Sequence, residues 1–131
     1  MFNHVMIGTN DIEKAKAFYV EVLGGVLGCR EPIRNEDKDG NVRYFFIHDG
    51  STFCLTEPID GEPATNANGM TIGFKCSGPE QVKELHDVAV ANGATSIEDP
   101  PGPRSNTLGT MNLSYFRDLD GHKICGVHRE A

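Results

Sequence analysis

The sequence of 131 residues is long enough for one compact domain or for two small modules that share a core. Hydrophobic residues make up 38% of it, which favours a folded chain over a disordered one. The net charge of −7 argues against a partner with an anionic surface, so we expect neither a nucleic acid nor a membrane as partner. The N-terminal residues lack the basic and apolar regions of a signal peptide, and we therefore expect a cytoplasmic protein.

The chain contains two similar halves, and each half predicts a strand, a helix and then about three strands. In the first half we expect strands near residues 3–8, 26–30, 42–47 and 52–57 and a helix near residues 11–23. In the second half we expect strands near residues 70–76, 95–98, 111–117 and 123–128 and a helix near residues 78–91. Residues 1–57 and 70–131 are thus expected to be two modules of one domain, with residues 58–69 as their linker. A second long irregular stretch is expected at residues 99–109.

Both predicted helices have the same start signals and the same apolar face. Asn10 and Ser77 occupy equivalent positions and are expected to be the N-caps. The glycines Gly24-Gly25 and Gly93 are expected to end the helices. Apolar side chains recur at the spacing of one helical face, and we expect these residues to be buried: Ala15, Phe18, Tyr19 and Val22 in the first helix, and Val82, Leu85, His86 and Ala89 in the second.

Each half ends in a predicted hairpin with an Asp-Gly turn, Asp49-Gly50 in the first and Asp120-Gly121 in the second. Aligning the two turns makes Cys54 equivalent to Cys125. The same alignment matches the aromatic pair Tyr44-Phe45 with Tyr115-Phe116. Because side chains of a strand alternate between faces, each half is expected to present one apolar face to its helix and one smaller, more polar face to a pocket.

The opening "NHVMIGTNDIEKAKAFY" and the closing "RDLDGHKIC" of this tandem repeat resemble the vicinal oxygen chelate superfamily. That superfamily includes glyoxalase I, extradiol dioxygenases, fosfomycin-resistance enzymes and bleomycin-binding proteins. The stretches "DGEPATNANGMTIGF" and "PPGPR" look like those of a bacterial glyoxalase-like subgroup. The resemblance implies an α+β fold of tandem βαβββ modules, with a curled eight-stranded sheet around one pocket and the helices outside. It also implies a homodimer.

The resemblance places the metal ligands of the family on the first and last strands of each module. The residues at these positions are His4, Cys54, Thr71 and Cys125, so the carboxylates of a hard metal site are missing. One alternative is a soft site, in which His4, Cys54 and Cys125 bind a divalent ion such as Zn²⁺. The other, which we favour, is a cavity lined by plain thiols without a metal.

Four residues are the candidates for contact with a small-molecule ligand. Arg104 lies in the Pro- and Gly-rich stretch "DPPGPRSNTLG", where its guanidinium is able to hold a carboxylate or a phosphate. Met6, Thr56 and Thr71 belong to the predicted pocket faces of the strands.

Two functions follow from these residues and from the resemblance. The first is a glyoxalase-like protein that binds a small, oxygen-rich metabolite. If it is an enzyme, we expect a metal-dependent lyase, isomerase or dioxygenase-type reaction. The alternative is a metal-free protein of the bleomycin-resistance type that sequesters a small molecule or an antibiotic.

Overall fold

Each half of the chain forms one sheet, and one face of that sheet carries the helix of the same half. The computed structural model describes residues 1–130, and its contacts divide the chain after Asn66 into two units. The division falls inside the segment 58–69 because Ala64 is held by the first unit. The backbone N–H of Ala64 donates to the side chain of Asn10 at 2.8 Å, and the same side chain donates to the Ala64 carbonyl at 3.3 Å.

The elements of the first unit are, in chain order, β1 (His4–Gly8), α1 (Ile12–Tyr19), a π-helical turn (Val20–Gly24), α2 (Gly25–Leu27), β2 (Ile33–Glu36), β3 (Val42–His48) and β4 (Ser51–Thr56). The strands form the first sheet in the order β1-β4-β3-β2. The strands β1 and β4 are parallel, and the other neighbours are antiparallel.

The elements of the second unit are β5 (Ile72–Lys75), α3 (Pro79–Ala91), β6 (Thr95–Ser96), β7 (Gly102–Asn106), β8 (Gly109–Arg117) and β9 (Lys123–Arg129). Its sheet has the order β5-β9-β8-β6, and β7 also pairs with β8. The predicted α+β class and the tandem βαβββ arrangement with helices outside the sheets are confirmed. Within residues 1–130 there are nine strands in two sheets, because β7 forms a hairpin with β8 in the stretch that we expected to be irregular. The single pocket enclosed by a curled sheet stays a prediction.

The first helical segment is longer than predicted. Gly24 and Gly25 do not end it, because both keep right-handed helical φ values of −72° and −69°. Each glycine costs a helix about 1 kcal/mol, whereas burying an aliphatic side chain contributes roughly 1.5–3 kcal/mol. Val26, buried beyond the glycines, therefore holds the helical path as far as Gly28, whose φ of +78° ends it. The strand predicted at residues 26–30 is wrong, and the strand in this part of the first sheet is β2.

The predicted N-caps are wrong by one residue in both units. Asp11, not Asn10, caps α1, and its carboxylate accepts a hydrogen bond from the N–H of Lys14 at 3.1 Å. Gly78 follows Ser77 and occupies the N-cap position of α3, where no side chain makes a capping bond. The apolar faces of both helices are confirmed, since all eight of the predicted residues are buried. No helix within residues 1–130 is long and apolar enough to cross a membrane.

The two hairpin turns differ, although both contain Asp-Gly. Asp49 and Gly50 both have positive φ (+48° and +83°), so the predicted two-residue turn between β3 and β4 is confirmed. Between β8 and β9, the N–H of Asp118 donates to the carbonyl of His122 at 2.9 Å and encloses three residues. The positive φ in this turn lies at Gly121 (+89°), as in a type I turn that ends in a G1 bulge. The two-residue turn predicted there is therefore wrong.

The additional turn residue changes which aromatic residues correspond between the halves. Cys54 pairs with Phe45 across the first hairpin, and Cys125 pairs with Tyr115 across the second. Tyr115 is therefore the structural equivalent of Phe45, and Phe116 is the equivalent of Phe46. The predicted matching of Phe45 with Phe116 is wrong, because one extra residue reverses the face to which every following side chain points.

Candidate functional site

Each sheet has a helix-free face, which we define as the face opposite its helix. In the first sheet, the register pairs Met6 with Cys54 and Gly8 with Thr56. Paired residues share a face, and the ring of Tyr19 in α1 contacts Phe53 on the other face at 4.8 Å. The predicted assignment of the Cys54 set to the helix-free face is thus confirmed by the register.

The second sheet shows the same arrangement around Cys125. Cys125 pairs with Gly73 of β5 and with Tyr115 of β8. The neighbouring residue Ser114 points to the helix, since its hydroxyl donates to the backbone carbonyl of Val82 in α3 at 3.0 Å. Cys125 therefore lies on the helix-free face, at the position that Cys54 occupies in the first sheet.

Both cysteines are buried and protonated thiols rather than exposed thiolates. Cys54 is 2% exposed and Cys125 is 3% exposed. Burial raises the pKa of the Cys54 thiol above its ordinary value, although the nearby Arg43 acts in the opposite direction. Burial also raises the pKa of Cys125, against a hydrogen bond with Tyr115 that lowers it. The Cys125 thiol donates to the carbonyl of Gly126 at 3.4 Å, which is a hydrogen bond of the neutral form.

The other two residues at the ligand positions of the family are exposed. His4 pairs with Thr52 and so lies on the same face as Cys54, two residue pairs along the strand. Its Nδ1 is 2.8 Å from the side-chain oxygen of Asn3. Thr71 immediately precedes β5 and offers only a neutral hydroxyl.

This donor set does not fit the hard metal site that the resemblance implies. Such a site needs carboxylate oxygens, and the equivalent positions carry Cys54, Cys125 and Thr71. Among residues 1–130, no three His, Cys, Asp or Glu side chains are grouped so that they are able to hold a metal ion. His4 and Cys54 belong to the first unit and Cys125 to the second, so the soft Zn²⁺ site stays a prediction.

Arg104 has a structural role that the sequence did not predict. It lies on β7 and pairs with Met111 of β8. Its guanidinium donates to the backbone carbonyl of Asp99 at 2.8 Å and to that of Gly102 at 3.0 Å. The side chain thereby fastens the start of β7 to the loop before it. Its contact with a ligand stays a prediction.

The other predicted contact residues differ in how accessible they are. Met6 is 39% exposed on the helix-free face of β1, which is an edge strand of the first sheet. Thr56 is buried, and its hydroxyl donates to the carbonyl of Glu57 at 2.7 Å. Met6 is therefore open to a ligand, whereas the hydroxyl of Thr56 is already engaged. Both contacts stay predictions.

Replacing Arg104 with lysine is expected to weaken the β7–β8 hairpin. Lysine keeps the charge but loses the fork that reaches two carbonyls at once, and each lost bond from a charged donor is worth about 1.5–3 kcal/mol. Hydrogen exchange measured by NMR should show faster exchange of the β7 amides, with the β4 amides as internal control. Unchanged β7 protection would mean that the guanidinium does not hold the hairpin.

Sequence reasoning placed Lys123 on the face of Cys125 but missed the partners of Lys123. The ammonium of Lys123 lies 4.8 Å from the centre of the Tyr115 ring and forms an ion pair with Glu98. Burial raises the pKa of Tyr115, and the nearby Cys125 raises it further. The alternation of Lys123 and Cys125 along β9 was the signal for a shared face, but the partner Glu98 comes from a separate loop.

A cavity of about 430 Å³ lies where the parallel strands β5 and β9 end. This volume is within the usual range of small-molecule sites. The lining residues are Gly73, Lys75, Cys76, Val127, His128 and Arg129. Gly73 and Val127 were assigned to a pocket wall from the sequence, and the other four were not, because the pairing of β5 with β9 joins segments far apart in the chain.

Comparisons with known proteins agree with this geometry. The family model described as the Glyoxalase/Bleomycin resistance protein/Dioxygenase superfamily matches residues 1–125. The crystal structure of a glyoxalase/bleomycin resistance protein from Albidiferax ferrireducens T118 is 46% identical in sequence, with a TM-score of 0.91 over 98% of this chain and 99% of that one. Comparison with curated proteins gives no significant match.

Two more distant structures share the fold. A glyoxalase-related enzyme from Fulvimarina pelagi is 18% identical, with a TM-score of 0.68 over 98% of this chain and 88% of its own. The fosfomycin resistance protein FosX from Listeria monocytogenes, in complex with Mn(II) and a sulfate ion, is 21% identical, with a TM-score of 0.67 over 99% of this chain and 93% of its own. The chain therefore belongs to the Glyoxalase/Bleomycin resistance protein/Dioxygenase superfamily.

Proposed function

We propose that the protein binds a small, oxygen-rich molecule on the helix-free faces of its sheets, without the hard metal site of metal-using relatives. The observation that carries this proposal is the chemistry of the residues at the ligand positions. Two of them, Cys54 and Cys125, are buried thiols whose pKa values are raised, and a third is Thr71. A hard cation finds no anionic oxygen among these side chains.

Polar and basic side chains lie on the helix-free faces beside apolar residues such as Met111 and Leu113, and these polar groups support binding of an oxygen-rich ligand. Arg43 and His4 in the first sheet and Tyr115 and Lys123 in the second share the faces of the two cysteines. Such side chains donate hydrogen bonds or carry positive charge, whereas the thiols provide an apolar floor. This combination is typical of sites that fix a small ligand by a few polar contacts. The expected homodimer and the cytoplasmic location belong to the same proposal.

Elemental analysis of protein purified without a His-tag tests the proposal. We expect a substoichiometric content of transition metal, and no rise of Tm with Zn²⁺, Ni²⁺, Mn²⁺ or Fe²⁺. A library of small hydroxy acids, keto acids and polyols should contain compounds that raise Tm, because a ligand at a hundred times its Kd stabilises the folded state by about 2.7 kcal/mol. These shifts should persist in the presence of a chelator.

The Cys54→Ser/Cys125→Ser double variant separates this proposal from the soft metal site. A matched control is Cys29→Ser/Cys76→Ser, which changes two other buried thiols. A stoichiometric metal that is lost in the first variant and kept in the second would overturn the proposal and support a metal-dependent enzyme. The absence of any stabilising compound would also count against it.

The metal-dependent lyase, isomerase or dioxygenase-type reaction is the second candidate. One observation favours it: His4 and Cys54 lie on the same face of adjacent parallel strands, two residue pairs apart. An imidazole and a thiol so placed are suitable donors for Zn²⁺.

A further inference from the structure

The strands of the second sheet carry basic residues and no acidic ones. Their sequences are IGFK, TS, GPRSN, GTMNLSYFR and KICGVHR. The register places every one of their lysines and arginines on the helix-free face: Lys75, Arg104, Arg117, Lys123 and Arg129. This face therefore concentrates five of the 12 basic residues of a chain whose net charge is −7. A basic surface on an acidic protein raises the local concentration of anions.

Four of the five basic side chains donate hydrogen bonds or form an ion pair within the protein. Lys123 forms an ion pair with Glu98, Arg117 donates to the carbonyl of Gly121 at 3.0 Å, and Arg104 donates to two backbone carbonyls. Arg129 donates to Sδ of Met111 at 3.4 Å, and a thioether sulfur is a weak acceptor. Lys75 and Arg129 are both exposed, and among residues 1–130 neither forms an ion pair.

Lys75 and Arg129 both line the cavity of about 430 Å³ at the ends of β5 and β9. A Cβ at Gly73 would lie 3.2 Å from Cγ2 of Val127, so this part of the cavity wall leaves little room for a side chain at position 73. His128 lies at the same end, with its Nδ1 3.3 Å from the carbonyl of Cys76. The cavity thus has two basic side chains, an imidazole and an aliphatic wall.

We infer that this cavity binds a small organic anion through Lys75 and Arg129, with a carboxylate or phosphate group as the charged part. A guanidinium holds either group by two parallel hydrogen bonds, and an ammonium adds a point charge beside it. Val127 provides an apolar contact for the carbon skeleton. The inference rests on the proposed function and narrows its ligand class from oxygen-rich molecules to anionic ones.

Titrations followed by ¹H–¹⁵N NMR test the inference with three matched three-carbon probes, namely glycerol 3-phosphate, glycerate and neutral glycerol, at constant ionic strength. At least one anion should shift the amide signals of Gly73 and Val127 in a saturable manner, whereas glycerol should not. In the Lys75→Gln/Arg129→Gln variant we expect binding at least about tenfold weaker, because the variant loses both positively charged donors to the anion.

The control variant is Arg30→Gln/Lys38→Gln, which removes the same net charge from exposed positions of the first unit. It should bind the anions within about twofold of the unaltered protein, and unchanged Tm values verify that both variants fold. Preference for phosphate or for carboxylate identifies the anion and supports the inference.

Equal binding by both variants, equal binding of glycerol, or the absence of saturable shifts with either anion would overturn the inference. If neutral compounds of the library still raise Tm while the anions fail to bind, only the anionic class is wrong and the proposed function stands. If no compound raises Tm, the proposed function fails as well.

Discussion

Replacing Phe116 with alanine is expected to lower the free energy of unfolding by about 3–5 kcal/mol, the usual cost of removing a buried aromatic ring. Phe116 is 0% exposed and pairs with the fully buried Ile124 on the face that packs against α3. Its neighbour Tyr115 points to the helix-free face. Tyr115→Phe keeps the ring and loses one hydroxyl, and we expect it to cost about 1 kcal/mol. Urea denaturation followed by circular dichroism measures both changes.

The first unit offers the matched pair for this experiment. Phe46 is the structural equivalent of Phe116 and is 2% exposed, whereas Phe45 pairs with Cys54 on the helix-free face. Phe46→Ala should therefore cost about 3–5 kcal/mol, and Phe45→Ala less. If Phe45→Ala were the more destabilising change, the register of β3 with β4 would be wrong. If Phe116→Ala had little effect, the three-residue turn between β8 and β9 would be wrong.

The aromatic pairs Phe45-Phe46 and Tyr115-Phe116 show how far the sequence predicts the fold. The apolar spacing of both helices identified their buried faces correctly, because burial of a helical face depends on local periodicity. The Asp-Gly dipeptide identified both hairpins, but it is compatible with a two-residue turn and with a three-residue turn. The bond from Asp118 N–H to the carbonyl of His122 selects the longer turn. Residues outside the dipeptide thus decided which face Phe116 occupies.

The glycine pair was misinterpreted for a similar reason. Gly24 and Gly25 are a local signal for the end of a helix, yet both remain helical because Val26 is buried beyond them. A preference of about 1 kcal/mol per glycine is easily outweighed by tertiary packing. The strand β2 was missed because its side chains are mostly exposed, so that it shows no apolar alternation.

The parts of the candidate site that depend on the alternation of side chains along a strand were predicted. The parts that depend on partners distant in the chain were missed. The alternation of side chains along a strand placed Cys54 and Cys125 on the helix-free faces, and the register confirms this placement. The same alternation puts Lys123 and Arg129 on one face of β9, so the sequence already contained a signal for a basic face. The cavity at Lys75 was not predictable in this way, because it requires the pairing of β5 with β9. The carbonyl partners of Arg104 likewise exist only once β7 has folded.

The stability of the protein should fall between pH 9 and pH 11 because of the buried thiol of Cys76. Burial raises the pKa of Cys76 from 9.0 to about 11, and the thiol is 2% exposed. A group whose pKa is higher in the folded state stabilises that state fully below its unfolded pKa, and the contribution is lost as the pH rises through its folded pKa. The difference of two pKa units corresponds to a contribution of at most about 3 kcal/mol to the free energy of unfolding.

The Cys76→Ala variant isolates this effect from the titration of lysines and of the tyrosines. Alanine leaves a cavity whose cost does not depend on pH, so the difference in unfolding free energy between variant and unaltered protein should shrink as the pH rises from 9 to 11. Urea denaturation at several pH values measures that difference. A difference that stays constant with pH would show that the pKa of the Cys76 thiol is the same in the folded and the unfolded protein. A shrinking one would show that burial raises the pKa of the Cys76 thiol in the folded protein. Burial raises the pKa of Cys125, on the opposite face of the same sheet, in the same direction, and a thiol that holds its proton is a poor metal ligand.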